Sequence, residues 1–379
     1  MLFISLRKEH CMKKSSAHSR TKSAQRVTNN GPRRLPILSL DVGYGYTKIM
    51  DPSGAQHIFP SLVAPGDIGS IDLGIASAAC PAVFLDGVEY IVGENAATRE
   101  FRFVEQYDSW WTSVRFRAII QYASKFIAPK SHVITGLPLH IYSAVKAHQQ
   151  IRDVLRRGLH AEEITILPQG VGAYCAAAAQ DPQLNEGRVG LIDIGTRTTE
   201  LVCFSDGQFL AKSSAGLIIG VGEVFAQVAN RLAQQHNRPV DAYEVDWAFR
   251  AIRPLRIKGE MIPENIIANL IQPCIQPLTE RLFNEITHLW GDGAPNVDRL
   301  VFCGGGVPLV EPYLGAYRPS YQVLKDGQFA NTMGYLQYAR WQEAQHGHHE
   351  AVSPERTEAS ANDSRVAEPE GAPIVGTPA

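Results

Sequence analysis

Leu38-Ser-Leu-Asp41-Val-Gly43-Tyr44-Gly45-Tyr-Thr47-Lys48-Ile-Met50 decides the fold, because its skeleton returns as Leu191-Ile-Asp193-Ile-Gly195-Thr196-Arg197-Thr-Thr199-Glu-Leu-Val202. Both copies run apolar strand, Asp, branched residue, Gly, three residues, Thr, a charge and two apolar residues. Each reads as a buried strand that breaks at Gly and returns as a second strand, a hairpin whose tip carries one carboxylate and several small residues. Glycine is expected there because the backbone must turn with positive φ and come close to whatever sits above it. A matched pair at domain spacing marks an internal duplication. Two such hairpins facing each other would hold a polyphosphate between their backbone N–H groups, with Asp41 and Asp193 flanking the metal that the phosphates carry.

A chain of 379 residues exceeds one ordinary core, so two domains are expected, in line with the repeat. No apolar run reaches the roughly 18 residues of a membrane span. The net charge of −2 gives no sign of general nucleic-acid affinity, but it hides an asymmetry. Residues 1–34 are strongly basic and residues 343–379 strongly acidic, and both are low in aromatic and branched residues, so disordered tails are expected at each end. The 6 cysteines have no close pair and no metal-ligand spacing, which favours reduced, mostly buried thiols in a cytoplasmic protein. The division expected is a basic tail over 1–34, a first domain over 35–180 with a small β-rich insertion at about 56–103, a second domain over 181–341, and an acidic tail over 342–379.

Along the body, Ala82 to Val92 reads as a hairpin around Asp86-Gly87. Val104 to Ile127 reads as a helix burying Trp110, Val114, Ile119 and Phe126. A strand at His132 to Pro138, a helix from Ser143 to Leu159, and a strand at Ile164 to Leu167 follow. Gly170, Gly172 and the alanines after them make a helix face thin enough to pack closely on another helix. In the second half, Gln208 to Gly216 reads as one strand, Gly222 opens a helix to His236, and a third helix covers about Val240 to Ile252. A long apolar-periodic segment from Ile266 to Leu289 is expected to bend at Pro273 and Pro277. A strand ends in Gly304-Gly305-Gly306, and a helix from Asn331 to Trp341 closes the body. Alternating strands and helices imply an α/β fold with a mixed, mainly parallel sheet in each half.

A P-loop is absent, and Gly43-x-Gly45-x-x-Lys48 fails the dinucleotide fingerprint at its third glycine. What remains is a different phosphate clamp, in which Lys48 would return along the second strand of its hairpin toward a phosphate. The triple glycine would let backbone lie flat against a base or ribose and then launch a helix.

These motifs together, Asp41-x-Gly43 to Lys48, Gln169-Gly-Val-Gly-Ala173, Asp193-Ile-Gly195-Thr196 and Phe302-Cys-Gly304-Gly305-Gly306, resemble the nucleotide signature of the actin, sugar-kinase and heat-shock-chaperone ATPase superfamily. Phe59-Pro-Ser61 and Val133-Ile-Thr-Gly-Leu-Pro138 resemble the bacterial actin-like proteins of plasmid segregation, the ParM or StbA type. The resemblance covers residues 36–340 and implies a two-domain actin-like fold, a duplicated ribonuclease H-like design with an interdomain nucleotide cleft. It implies ATP or GTP with Mg2+ as cofactors. It gives Asp41 a water-mediated hold on Mg2+ and sets Gly43, Tyr44, Gly45 and Lys48 on the phosphates. Gln169 would orient the attacking water, and Asp193 would polarise it and steady Mg2+, with Gly195 and Thr196 on the β- and γ-phosphates. Gly222, Gly304, Gly305 and Gly306 would border ribose and base, while the base side near residues 240–260 stays unassigned, Lys258 and Glu260 included. Arg197, where a small residue is commoner, departs from the pattern.

The function implied is a slow ATP hydrolase that forms dynamic filaments, with itself and a DNA-binding adaptor as partners, for segregation of a plasmid or other mobile DNA. No sequence-specific nucleic-acid contact and no membrane insertion are expected of the chain itself. Rival readings are a membrane-linked shape or division actin homologue and a small-molecule kinase of the same superfamily. The kinase would need a carboxylate facing an acceptor pocket, and no further Asp motif stands out.

Overall fold

β1 (Ile37–Val42) and β2 (Tyr46–Met50) form the first hairpin, with Asp41 opposite Lys48, and β3 (Gln56–Pro60) extends the ladder on the far side of β2. These coordinates are a computed structural model that describes residues 35–66, 82–97 and 107–351. The basic tail, the acidic segment beyond Ala351 and residues 104–106 of the expected helix lie outside the described residues. β4 (Val63–Pro65), β5 (Ala82–Leu85) and β6 (Val88–Val92) make a separate small sheet in the order β4-β6-β5. Asp86 (φ 52°) and Gly87 (φ 81°) turn its hairpin with the positive φ pair that two-residue loops favour. The insertion is therefore narrower than expected, because β3 belongs to the main sheet.

After the short α1 (Glu94–Ala97) comes α2 (Val114–Ala123), which is all that is α-helical in the described part of the expected long helix. Ser113 breaks it: its side chain accepts from Phe116 N and caps the helix, leaving a 3-10 turn at Tyr107–Thr112. Trp110 and Ile119 are buried as expected, whereas Val114 and Phe126 stay partly exposed. β7 (His132–Leu137) joins β1 in parallel, α3 (Leu139–Tyr142) and α4 (Val145–Leu159) cross over, and β8 (Glu163–Pro168) adds in parallel to β7.

α5 (Val171–Gln180) leads into the second hairpin, β9 (Arg188–Ile194) and β10 (Thr199–Ser205), with Asp193 opposite Glu200. The strand expected from Gln208 to Gly216 is two, β11 (Gln208–Phe209) and β12 (Ala215–Leu217), both antiparallel to β10. Ser214 interrupts it by donating to Leu210 O and accepting from Cys203 N, an alternative to the ladder. α6 (Gly222–His236) and α7 (Ala242–Phe249) follow, then the small hairpin β13 (Arg256–Ile257) and β14 (Glu260–Met261). α8 (Glu264–Trp290) runs unbroken through Pro273 and Pro277, its buried face of Ile267, Ile271, Ile275, Leu278, Leu282 and Ile286 holding it on the sheet. β15 (Arg299–Cys303), α9 (Val307–Tyr317), β16 (Gln322–Val323) and α10 (Ala330–Ala351) complete the chain, α10 reaching ten residues beyond the Trp341 expected as its end.

The two sheets have the same plan. The first has the order β3-β2-β1-β7-β8, the second β11-β10-β9-β15-β16 with β12 also on β10. In each, an antiparallel hairpin sheet gains two parallel strands through helical crossovers, so neither is mainly parallel. Tight turns can join only antiparallel neighbours, and each parallel addition needs a helix-length crossover.

Among the described residues, those from Pro36 on form one compact unit. Each half has its own core, and α5 and α10 pack against one another between them. The alanine face of α5 does what its composition predicts: Ala173, Ala176, Ala177 and Ala178 are buried, and a Cβ on Gly172 would come within 2.9 Å of Asn331 O. The four described cysteines, Cys175, Cys203, Cys274 and Cys303, are free and buried. Among the described residues no helix is long and apolar enough to cross a membrane.

Candidate functional site

A cleft between the two hairpins gathers most of the residues singled out in the sequence. Asp41, Gly43, Tyr44, Gly45, Lys48, Gln169, Asp193, Gly195, Thr196, Gly304 and Gly305 all line it. Lys48 Nζ pairs with Asp41 Oδ2 at 2.8 Å, and Gln169 Nε2 donates to the other Asp41 oxygen at 3.0 Å. Both Asp41 and Gln169 are buried, which keeps these charge-assisted contacts away from water.

The two hairpins repeat one turn. Gly43 N donates to Tyr46 O at 3.2 Å and Gly195 N to Thr198 O at 2.9 Å, and in each case an added Cβ would lie 2.9 Å from that carbonyl. Neither these glycines nor Gly45 has a positive φ, contrary to expectation. Close approach alone selects glycine there, and a Cβ at Gly45 would overlap Thr196 of the opposite hairpin. Positive φ is needed instead at Gly170 (83°), which starts α5, and at Gly304 (95°), which passes directly beside Asp193 and Ile194.

Gly222 and Gly306 do not line this cleft, and Gly222 lines a neighbouring pocket with Tyr46, Thr196, Tyr243 and Asp246. Gly222 N donates to Thr196 O at 2.7 Å and Gly306 N to Ile194 O at 2.8 Å, so both buttress the second hairpin. Lys258 lies in the β13–β14 turn and Glu260 in β14, and neither lines the cleft. The residue of this region that does is Arg250, which bonds Asp246 Oδ1 at 2.7 Å and Gly305 O at 2.8 Å. Asp246 also accepts from Tyr46 Oη at 2.6 Å, and Tyr243 Oη donates to the carbonyls of Tyr44 and Gly45, so α7 clasps the first hairpin from the second half.

Sequence reasoning missed two further groups. Glu200 lines the cleft at 2% exposure; its Oε2 accepts from Leu139 N at 3.0 Å and its Oε1 has no hydrogen-bond partner. Burial foremost, with the Asp193 charge nearby, pushes its carboxyl up to about 8. A signal existed: Glu200 lies opposite Asp193 in its hairpin as Lys48 lies opposite Asp41. Asn331, at the start of α10, donates to Asp193 Oδ2 at 2.7 Å, and nothing local in the sequence marks it.

Burial, then the neighbouring Asp41 charge, pushes the Asp193 carboxyl up to about 6 against the pull of Lys48 and Asn331. Two buried carboxylates that repel each other suit a divalent cation, and hard oxygen donors suit Mg2+. Among the described residues no cluster of three or more acidic, His or Cys side chains could hold a metal by itself. The donor set therefore fits an ion that arrives with phosphate oxygens and water in most of its coordination positions.

Residues 39–172 match the model of the actin like proteins N terminal domain, and residues 191–316 that of the archaeal actin homologue MreB-like C-terminal domain. An archaeal actin homolog of Thermoplasma volcanium is 26% identical over 328 residues, covering 79% of this chain and 98% of that one. Among solved structures, a 15-stranded ParM filament from Clostridium botulinum matches with TM-score 0.67 at 22% identity, over 82% of this chain and 100% of that one. An archaeal actin homolog in complex with ADP matches with TM-score 0.64 at 24% identity, over 81% of this chain and 100% of that one. With the duplicated sheets and the cleft between their hairpins, these matches give the chain both domains of the actin-like ATPase superfamily, to which it belongs.

Proposed function

We propose that the chain binds Mg-ATP between its hairpins, hydrolyses it slowly and forms filaments whose stability follows the nucleotide. The observation that carries this is the convergence of Asp41, Gln169 and Asp193 on one cleft from three separate stretches of the chain. Phosphoryl transfer to water needs little covalent help from protein; it needs the phosphates, metal and water held in line and the developing charge stabilised. Backbone N–H groups of the two hairpin turns and Lys48 bind the phosphates. Mg2+, when bound, would offset phosphate charge, and Asp41 and Asp193 are the carboxylates that would hold it. Gln169 is anchored through Nε2 to Asp41, which turns its amide oxygen to a water. Glu200 lines the same cleft with a carboxyl that stays protonated below about pH 8.

A triphosphate touching both hairpins joins the two halves, and its hydrolysis removes that bridge. Filament formation for this chain is supported by its likeness to a ParM filament subunit. A role in moving plasmid or other mobile DNA through a separate adaptor is the further step of the same reading. Light scattering of the purified chain with Mg-ATP, Mg-GTP, ATP with a chelator, and no nucleotide tests it. Scattering is expected to rise with a Mg-triphosphate and decay as phosphate is released. A flat trace in every arm, at concentrations of tens of micromolar, excludes a nucleotide-driven filament.

A further inference from the structure

We propose that Ser61 and Tyr243, with Arg115, are positioning residues for bound phosphate: from outside the cleft they grip the carbonyls of the first hairpin tip and so aim its amides at the ligand. The inference rests on the nucleotide reading of the cleft and adds the groups that set one of its phosphate-facing turns. Three successive carbonyls of that tip, those of Gly43, Tyr44 and Gly45, accept from donors outside the hairpin. Ser61 Oγ donates to Gly43 O at 2.7 Å and Ser61 N to Gly45 O at 2.8 Å. Tyr243 Oη donates to Gly45 O at 3.2 Å and to Tyr44 O at 3.3 Å. Arg115 Nη2 reaches Tyr44 O at 3.4 Å, and its Nε donates to Ser61 O at 2.9 Å.

The donors are themselves held in place. Ser61 is fully buried, and Thr47 Oγ1 lies 2.9 Å from Ser61 Oγ, so the threonine hydroxyl donates to it and leaves the serine proton for Gly43 O. The Arg115 guanidinium lies 4.8 Å from the Trp110 ring centroid and also hydrogen-bonds Tyr243. Tyr243 belongs to α7 of the second half, so the hairpin of one half is set partly by the other. A trans peptide is planar, with its C=O and the following N–H on opposite sides. Ser61, Arg115 and Tyr243 do not line the cleft, whereas Gly43, Tyr44, Gly45 and Tyr46 do. With the carbonyls turned outward, the N–H groups of Tyr44, Gly45 and Tyr46 face the cleft, the arrangement that backbone takes around an anion.

The second hairpin reaches the same arrangement by other means. In the repeat, Gly195 stands at the position of Gly43 and Thr196 at that of Tyr44. Gly195 O accepts from Val221 N at 3.1 Å and Thr196 O from Gly222 N at 2.7 Å, and neither Val221 nor Gly222 lines the cleft. Equivalent carbonyls are thus drawn outward in both copies, by main chain in the second and chiefly by side chains in the first. What the two copies share is the direction of their peptide groups, not the residues that impose it. A tyrosine placed only to pack on Tyr46 and Trp247 would need no hydroxyl.

The test reads a single amide. Tyr44-Gly45 is the only Tyr-Gly pair in the chain, so isotope labelling of tyrosine carbonyls and glycine nitrogens isolates the Gly45 N–H in a nuclear magnetic resonance spectrum. The full chain is titrated with Mg-ADP as wild type, Ser61→Ala and Tyr243→Phe, and affinity is measured by calorimetry on the same preparations. The wild-type Gly45 signal is expected to move on binding. In each variant its shift at saturation shrinks and Mg-ADP affinity falls at least about fivefold, the worth of one hydrogen bond. Tyr243→Phe keeps the ring and its packing, so it carries the comparison if Ser61→Ala does not fold. A wild-type Gly45 amide that stays in place while Mg-ADP binds overturns the inference alone, as do variants whose shift and affinity match wild type. A fall in affinity with the Gly45 shift unchanged overturns it too, since a purely structural role would do that. A wild-type chain that binds no Mg-ADP removes the reading of the cleft and the inference with it.

Discussion

Asn331 Nδ2 donates to Asp193 Oδ2 at 2.7 Å while Asn331 Oδ1 accepts from Gly170 N at 3.1 Å and Ala173 N at 3.2 Å. One side chain of α10 thereby ties the first turn of α5 to a carboxylate of the second hairpin. Asn331→Asp keeps the acceptor for α5 and turns a second carboxylate on Asp193. Its turnover is expected to fall at least about tenfold, and its melting temperature to fall as well, because a buried carboxylate now faces Asp193 in place of a donor. Asn331→Ala strands two buried N–H groups as well and should cost about 2 kcal/mol in urea unfolding. Wild-type turnover in Asn331→Asp would leave Asn331 a purely structural role.

Asp193→Ala is expected to lower ATP hydrolysis at least about a hundredfold while nucleotide binding stays measurable, because it removes charge at the water and metal more than contact area. Gln169→Ala acts in the same direction and more weakly, since orienting a water is a smaller electrostatic task. Phosphate release and equilibrium binding, measured on the same preparations, separate the two effects. Unchanged turnover in Asp193→Ala would contradict its place in the reaction.

Glu200 gives the nucleotide-free protein a pH dependence. Its folded-state carboxyl is raised to about 8, so between its ordinary carboxylate range and that value the folded chain holds a proton that the unfolded chain has released. Stability from this source is complete below the ordinary range and is lost as pH rises toward 8, with a limiting slope of about 1.4 kcal/mol per pH unit. Glu200→Gln should flatten that part of the profile and lower hydrolysis. Parallel stability curves for the two proteins from pH 5 to 8 would show that the carboxyl is ionised throughout.

Gly334 lies where α10 crosses α5, and a Cβ there would overlap the Gly172 carbonyl, which is backbone and cannot rotate aside. Gly334→Ala is expected to destabilise the fold by about 3 kcal/mol. An unfolding free energy within about 0.5 kcal/mol of wild type would mean that the crossing opens easily.

Deleting residues 1–34 should leave hydrolysis and polymerisation intact and abolish any DNA or anionic-lipid binding seen at low salt, because that segment holds the excess positive charge. Gel-shift and vesicle-sedimentation assays at two salt concentrations check this. DNA binding that survives the deletion would place a nucleic-acid surface on the body.

The sequence by itself determined the two hairpins, their duplication, the glycine-rich turn after β15 and the thin face of α5. Each of these is written in neighbouring residues: alternating apolar runs set the strands, Asp-x-Gly sets the turn, and an alanine run sets how near another helix can come. Only the tertiary structure decided why Gly45 is a glycine, since it answers to Thr196 in the other half and not to its own φ, whereas Gly43 and Gly195 answer to carbonyls of their own turns. It likewise decided that Ser113 and Ser214 end elements that their apolar pattern would have continued. Asn331 with Asp193, Arg250 with Gly305 and Leu139 with Glu200 are pairs far apart in the chain, and no local period encodes them. They exist because two copies of one sheet were packed about α5 and α10, and the burial of that packing gives a carboxylate such as Glu200 a chemistry its neighbours in sequence do not specify.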